Sequence, residues 1–423
     1  MPYISRRQFI NSLAGFSVLA CLRAARAGQS QPDIPIRAIT RGPKPHWFGY
    51  YDKWQFDPTD RYVLGMELPF EGRTPGPEDI IKIGMVDLQD NDKWIELGES
   101  RSWGWQQGCM LQWVPNTDNK IIWNDREGDR FVSRTLDIRT GKKETLPAPV
   151  YALSQDGRWA IGADFARIQA MRPGYGYKGV RDPYHDQLAP DKSGIYKMDL
   201  LTGETKLIIT LAQLAEIPYQ GKPTTDKWNY VNHLLVSPDS ERFIFLHRWR
   251  ANSAGNASGG FTTRMFTVDK NGEDLHILDP SGKTSHFIWR DPKHVAMWTR
   301  PVGKENGFWL MQDKTTRMEQ LGKGVMTVNG HNTYLPHTNN EWILNDTYPR
   351  GEAREQIPYV YHVPTHRKIE LGRFHLPPVY KGEWRCDTHP RFSRSGRKVC
   401  IDSPHGGNGR QLYLIDIDDV IER

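Results

Sequence analysis

Cysteine is scarce: there are 4 in 423 residues, and Cys21 falls within the first 27. The remaining three, Cys109, Cys386 and Cys400, are odd in number and lack metal-site spacing, which argues against a disulfide scaffold or a thiolate metal centre. Phosphate-binding signatures are missing. There is no G-x-x-x-x-G-K-[ST], and no G-x-G-x-x-G placed after a strand; GYGYKG (174–179) is a Gly-Tyr loop. The G-x-S-x-G elbow of serine hydrolases is absent as well. A large charge excess of one sign is lacking too. The formal charge is +6, and Arg6, Arg7, Arg23 and Arg26 crowd the acid-free first 27 residues, leaving the rest near +2. That balance gives no argument for nucleic acid or a membrane surface as partner.

Tryptophan (15), glycine (38) and proline (29) are plentiful, as in a chain of many short strands joined by turns. The start reads differently. SRRQFIN (5–11) has the twin-arginine pattern, LAGFSVLACL (13–22) is apolar but too short to span a bilayer, and ARA (25–27) offers small residues two apart for cleavage. Residues 1–27 are therefore expected to be an export signal that sends 28–423, one domain, to the periplasm. This route carries folded protein, in keeping with reduced cysteines and with any metal being loaded before export.

One phrase recurs seven times: two strands around a tight turn, as in NHLLVSPDSERFIFLH (232–247) and THPRFSRSGRKVCIDS (388–403). The other copies lie at 50–66, 110–125, 150–164, 285–299 and 330–346, and each is followed by a second hairpin with turns such as TGKK, TGET or NGED. Seven units of four strands predict an all-β fold, a seven-bladed β-propeller. The last unit lacks a fourth strand, which IPIRAIT (34–40) supplies, closing the ring and removing its exposed edge. A pair of β-sandwiches leaves the seven matched double hairpins unexplained. TLAQLAEI (210–217) is the one helix expected.

The repeat sorts the connections. Turns within the hairpins are short, whereas the long segments (67–81, 99–109, 165–193, 210–231, 250–263, 347–356, 374–387 and 404–410) all fall on the opposite face, where function is expected. On that face, the position four before the turn begins each innermost strand. It holds Lys53, Met110, Val150, His233, Ser285, His331 and His389, with His286 next to Ser285. Four consecutive blades thus present an imidazole around the axis. The chemistry that fits is either an open His-rich site for manganese, zinc or a similar divalent ion, or a metal-free site with a histidine base.

Around this mouth, WGWQQG (103–108) brings Trp103 and Trp105 as sugar-stacking faces and Gln106 and Gln107 as amides. The insertion 165–186 brings Arg167, Arg172, Tyr175, Tyr177, Arg181, Tyr184 and His185 as a lid over an anionic ligand. HWFGYYDK (46–53) adds Tyr50, Tyr51 and Lys53, while Arg248 and Arg385 can bind a carboxylate bidentately. The set suits an acidic carbohydrate.

The phrases H-x-x-x-S-P-D-S and T-H-P-R-F-S-R-S-G-R resemble the TolB-type propeller repeat. With axial histidines added, the chain resembles the oligogalacturonate lyases, at the level of architecture over nearly all of 34–421. The resemblance implies a divalent metal at the axial mouth (manganese, with zinc or calcium as alternatives), His286, His331 and His389 as ligands, and His233 as the base. It implies β-elimination on a uronate of an acidic oligo- or polysaccharide, with Arg248 or Arg385 on the carboxylate and Tyr177 or Tyr184 as proton donor. WGWQQG and GYGYKG have no counterpart in that pattern. A non-catalytic TolB-like propeller that binds envelope proteins or acidic glycans is the competing expectation. A glycoside hydrolase needs two facing carboxylates, for which Asp52 and Asp387 are the nearest candidates.

Overall fold

In the computed structural model, residues 34–251 and 260–421 are described; the twin-arginine segment lies outside them. Short alternating segments separated by turns fold into seven four-stranded antiparallel sheets, the blades of a propeller. In blade four, for example, the strands Trp228–Val236, Arg242–Arg250, Thr262–Asp269 and His276–Asp279 run outward from the axis in sequence order. Blade seven departs from that order. Its outermost strand is Ile36–Ala38 from the other end of the domain, paired antiparallel with Gln411–Asp416 in the register Ile36↔Ile415. The closing strand therefore stands where the incomplete last repeat required it.

The core lies between blades, where apolar side chains of neighbouring sheets interdigitate. Blade seven is locked to blade one by a buried carboxylate, Asp402. Arg391 donates to Asp402 at 2.7 Å, and the same carboxylate accepts the backbone N–H groups of Phe48 and Gly49.

The helix at 210–217 forms as Leu211–Glu216, started by a capping box in which Thr210 and Gln213 satisfy each other's backbone N–H. A second helix, Phe165–Met171, was not expected; Asp164 caps it by accepting the Arg167 N–H. It opens the long insertion and buries Phe165, Ile168 and Met171. The insertion is thus a packed wedge rather than a lid. Arg167 is its pillar, wholly buried and bonded to Asp182 and to the carbonyls of Asn229, Tyr184, Gln187 and Leu188. Arg181 and His185 pair with each other on the outside.

Candidate functional site

Closure of the ring brings the strand-start histidines together. The rings of His286 and His331 lie 4.2 Å apart between centroids, and those of His331 and His389 lie 4.3 Å apart. Tyr50 joins His233 to this group, 5.2 Å from its ring and 5.3 Å from that of His389. His233 (φ 52°) and His389 (φ 40°) share a left-handed backbone with Met110 (φ 58°), which holds the same repeat position in blade two. Side chains other than glycine reach this conformation at a cost of roughly 1–2 kcal/mol each. Strain repeated at the hub turns these side chains inward, out of the regular alternation of the strand.

A group of residues that could hold a metal ion emerges, and it differs in one member from the expected three histidines. His331, Asp387 and His389 offer donor atoms all within 4.8 Å of one another. His286, though adjacent, donates from Nδ1 to Asn329 at 3.0 Å and turns Nε2 to the Tyr348 hydroxyl at 3.3 Å, so both its nitrogens are engaged. Asp387 takes its place. One carboxylate oxygen accepts from Arg385 Nε at 2.7 Å, and the other is buried without a hydrogen-bond partner. Leaving a carboxylate oxygen bare in the interior is costly unless something positive meets it. Two imidazoles and a carboxylate oxygen are donors a divalent ion accepts. The sequence offers Asp387 as a hydrolase carboxylate; its signal as a partner of His389 is its spacing in CDTH, two residues before that histidine.

Support behind this set is specific. Asp346 accepts the backbone N–H of His331 at 2.8 Å and its Nδ1–H at 2.9 Å, which leaves Nε2 to the cluster. Burial opposes charge on His331, but Asp346 outweighs it and raises the pKa above the ordinary imidazole value. His389 goes the other way: burial and the neighbouring His331 hold it well below.

Cationic groups stand on the other side of His233. Arg172 and Arg248 both lie over one phenyl ring, at 4.7 and 4.6 Å from the centroid of Phe261. Arg172 Nε and Nη1 and Arg248 Nη1 are buried and have no hydrogen-bond partner. Burial and the nearby Arg172 pull the pKa of Arg248 down to about 10. Two neighbouring buried guanidiniums with bare N–H groups make a receptor for an anion. Arg385 is less free, being committed to Asp387 and to the Tyr175 hydroxyl.

The two glycine-rich loops dock on each other. A Cβ at Gly104 would stand 2.7 Å from the Gly174 carbonyl oxygen, and one at Gly176 would stand 2.2 Å from that of Phe165. Only glycine permits this approach, and it delivers Gln107 and Tyr175 to the cluster. Tyr175 meets the His233 ring edge-on at 5.6 Å.

Several expected contacts belong to the scaffold instead. Trp103 and Trp105 are 3% and 1% exposed, packed on Trp47 and Phe70, and donate to the Asp79 and Arg73 carbonyls; neither has a face open to a sugar. Gln106 donates to the carbonyls of Glu383 and Arg385 and so fixes the segment carrying Asp387. Tyr177 is stacked under Phe165 and bonded to Asn124, buried below the site. Tyr184 is half-buried, its backbone bonded to Asp182 and Arg167, with no ring contact to the histidines among the described residues. Tyr51 touches His331 (5.3 Å between centroids), but its hydroxyl is spent on the backbone of Phe287. Lys53 pairs with Asp52 at 2.8 Å and lines a separate axial cavity of about 240 Å³ that reaches the hairpin turns at Gln155 and Pro238. Asp52 is thus paired with Lys53, and Asp387 with Arg385.

His233 itself sits in a closed relay. Its backbone N–H donates to the Tyr151 hydroxyl at 2.9 Å, that hydroxyl donates to Gln107 Oε1 at 2.7 Å, and Gln107 Nε2 faces His233 Nδ1 at 3.3 Å. Burial, then the charges of Arg248 and Arg172, keep the imidazole neutral, with its pKa well below the ordinary value.

No family model and no curated protein matches this chain. Solved structures do. An oligogalacturonate lyase from Vibrio parahaemolyticus superposes with a TM-score of 0.65 at 14% identity, covering 92% of this chain and 95% of the other. An oligogalacturonate lyase in complex with manganese gives 0.64 at 13%, covering 93% and 96%. TolB from Acinetobacter baumannii matches over 74% of this chain and 63% of its own, at 16% identity and a TM-score of 0.41. At such identities the likeness to the two lyases is one of fold.

Proposed function

We propose that this chain is a lyase that cleaves a uronate-containing oligo- or polysaccharide by metal-assisted β-elimination at the axial mouth. The observation that carries this reading is the donor group His331, Asp387 and His389, joined through Tyr50 and His233 to Arg172 and Arg248, whose guanidiniums keep buried N–H groups without a partner. His331, Asp387 and His389 would hold a divalent cation, manganese in the first instance with zinc or calcium as alternatives, and what it supplies when bound is Lewis-acid neutralisation of a carboxylate. The likeness to a manganese-bound oligogalacturonate lyase supports the choice.

The chain's own residues provide the rest. Arg172 and Arg248 bind uronate carboxylate, and the positive surroundings draw electron density from C5, acidifying its proton. A base removes that proton, the electron pair forms the C4=C5 double bond, and the 4-linked sugar departs. Fixed donors around the enolate-like intermediate are the dominant requirement. Two groups at the cluster have the chemistry to take the proton, His233 and Tyr175. The twin-arginine segment supports action in the periplasm.

Metal analysis of the purified protein, with the short-wavelength ultraviolet absorbance of unsaturated product measured on a panel of acidic polysaccharides, tests the proposal. A bound divalent ion and a growing absorbance on a polyuronate are expected. Protein that binds metal and oligouronate but forms no unsaturated product would be a binding propeller, and the lyase reading would fall.

A further inference from the structure

Resting on the lyase reading, we infer that Tyr175 stands as a phenolate clamped by two guanidiniums and is the base that takes the C5 proton, while His233 is a fixed hydrogen-bond donor.

The argument begins with the tautomer of His233. The Tyr151 oxygen accepts the His233 backbone N–H, a group that can only donate. Tyr151 must then place its own proton on Gln107, 2.7 Å away, which makes the facing atom the Gln107 carbonyl oxygen. The Gln107 amide nitrogen is left to donate to His233 Nδ1. A neutral imidazole whose Nδ1 accepts carries its proton on Nε2. Reversing the Gln107 amide would strand the Tyr151 proton in a buried site without an acceptor, which is expensive. Neither nitrogen of His233 is therefore a vacant base, and its free edge is an N–H.

Tyr175 is arranged in the opposite sense. Its hydroxyl oxygen accepts from Arg172 Nη2 at 3.1 Å and from Arg385 Nη2 at 3.0 Å. A neutral phenol here would carry a proton with no acceptor among the described residues; a phenolate is satisfied by both donors. The other charged and titratable groups that face it are His233 and Arg248 from blade four, Asp387 beyond Arg385, Tyr50 from blade one and Tyr348 from blade six. Burial works against ionisation, yet the charges of Arg172 and Arg385 outweigh it and bring the phenol down to about 7. That is a pKa suited to proton transfer at neutral pH.

The step balances. The C5–H bond breaks and its proton goes to the Tyr175 oxygen. The released pair forms C4=C5, the C4–O4 bond breaks, and the departing oxygen is protonated by water. Tyr175 then returns its proton to solvent.

The test is a near-ultraviolet difference titration of metal-free wild-type protein against Tyr175→Phe, which keeps the ring and its packing. One tyrosinate forming around pH 7 is expected, and it should disappear in Arg172→Leu even if the Phe variant is poorly folded. With a uronate substrate, Tyr175→Phe should lower kcat about 100-fold or more while metal content stays unchanged; His233→Gln, which retains an N–H donor, should lose far less. Ionisation of Tyr175 only with ordinary phenols near pH 10 would overturn the inference, as would full kcat in Tyr175→Phe. A phenolate in protein that cleaves no polyuronate would uphold the ionised Tyr175 and remove the lyase reading instead.

Discussion

Asp346 grips His331 twice, taking its backbone N–H at 2.8 Å and its Nδ1–H at 2.9 Å with the same oxygen, while the second oxygen accepts the hydroxyl of Thr388 at 2.5 Å. One carboxylate thereby orients a blade-six imidazole and ties it to the strand that carries His389. Such partners behind a metal-ligating histidine are typically worth 10–100-fold in metal affinity, here taken as roughly that range. Asp346→Asn should weaken manganese binding by about that factor, with the fold intact by circular dichroism. Calorimetric titration of metal into the two proteins measures it.

Arg248 offers a prediction of opposite sign for stability and binding. Its guanidinium is buried beside Arg172 with one nitrogen unpaired, an arrangement that favours a ligand and not the empty fold. Replacing buried charge by an apolar chain of similar volume is often neutral or stabilising by about 1–4 kcal/mol. Arg248→Met should leave the thermal midpoint unchanged or raise it, yet weaken oligouronate binding about 10-fold or more. A lowered midpoint with unaltered binding would assign Arg248 to the scaffold.

The propeller was legible because it is repetitive. Seven hairpin phrases and the orphan strand at 34–40 carry their period and their missing partner in the sequence, and Ile36–Ala38 pairs accordingly. The four histidines were legible for the same reason: a repeat position converts sequence distance into spatial nearness. What the repeat does not encode was missed. Tyr348 and Asn329, and Asp387 as a partner of the histidines and not as a hydrolase carboxylate, stand on connections, where no period says which way a side chain points. The tryptophans of WGWQQG were misread because an indole between blades and an indole facing a sugar use the same letters. Their burial depends on Gly104 letting the loop settle against Gly174, a contact between segments 70 positions apart.

Trp105 accordingly answers to stability. Its ring is packed by Trp103 and Trp47 and lies under the guanidinium of Arg410, 4.3 Å from the indole centroid. Truncating a buried aromatic costs roughly 3–5 kcal/mol. Trp105→Ala should lose about that much in denaturant unfolding, whereas the fraction that remains folded should bind oligouronate with wild-type affinity. A selective loss of binding at full stability would restore the sugar-stacking role.

His247 sets an acid limit on the fold that is independent of the axial histidine cluster. It is fully buried in blade four, accepting from Arg264 at Nδ1 (3.2 Å) and donating from Nε2 to Asn229 (2.8 Å), so both nitrogens are satisfied only in the neutral ring. Burial and the Arg264 charge push its pKa well below the ordinary imidazole value. In the unfolded chain the imidazole returns to a pKa of about 6.5. Below that pH the unfolded state binds a proton that the folded state refuses, so stability rises with pH across this window and is lost as pH falls through it. His247→Gln, which can donate and accept in the same places, removes the titration. Urea unfolding of the metal-free protein at about pH 7.5 and about pH 5.5, on either side of the free imidazole value, should show a smaller loss of stability in the variant than in wild type. An equal loss in both would mean that the acid sensitivity resides elsewhere, in the buried axial imidazoles of His233, His286 and His389.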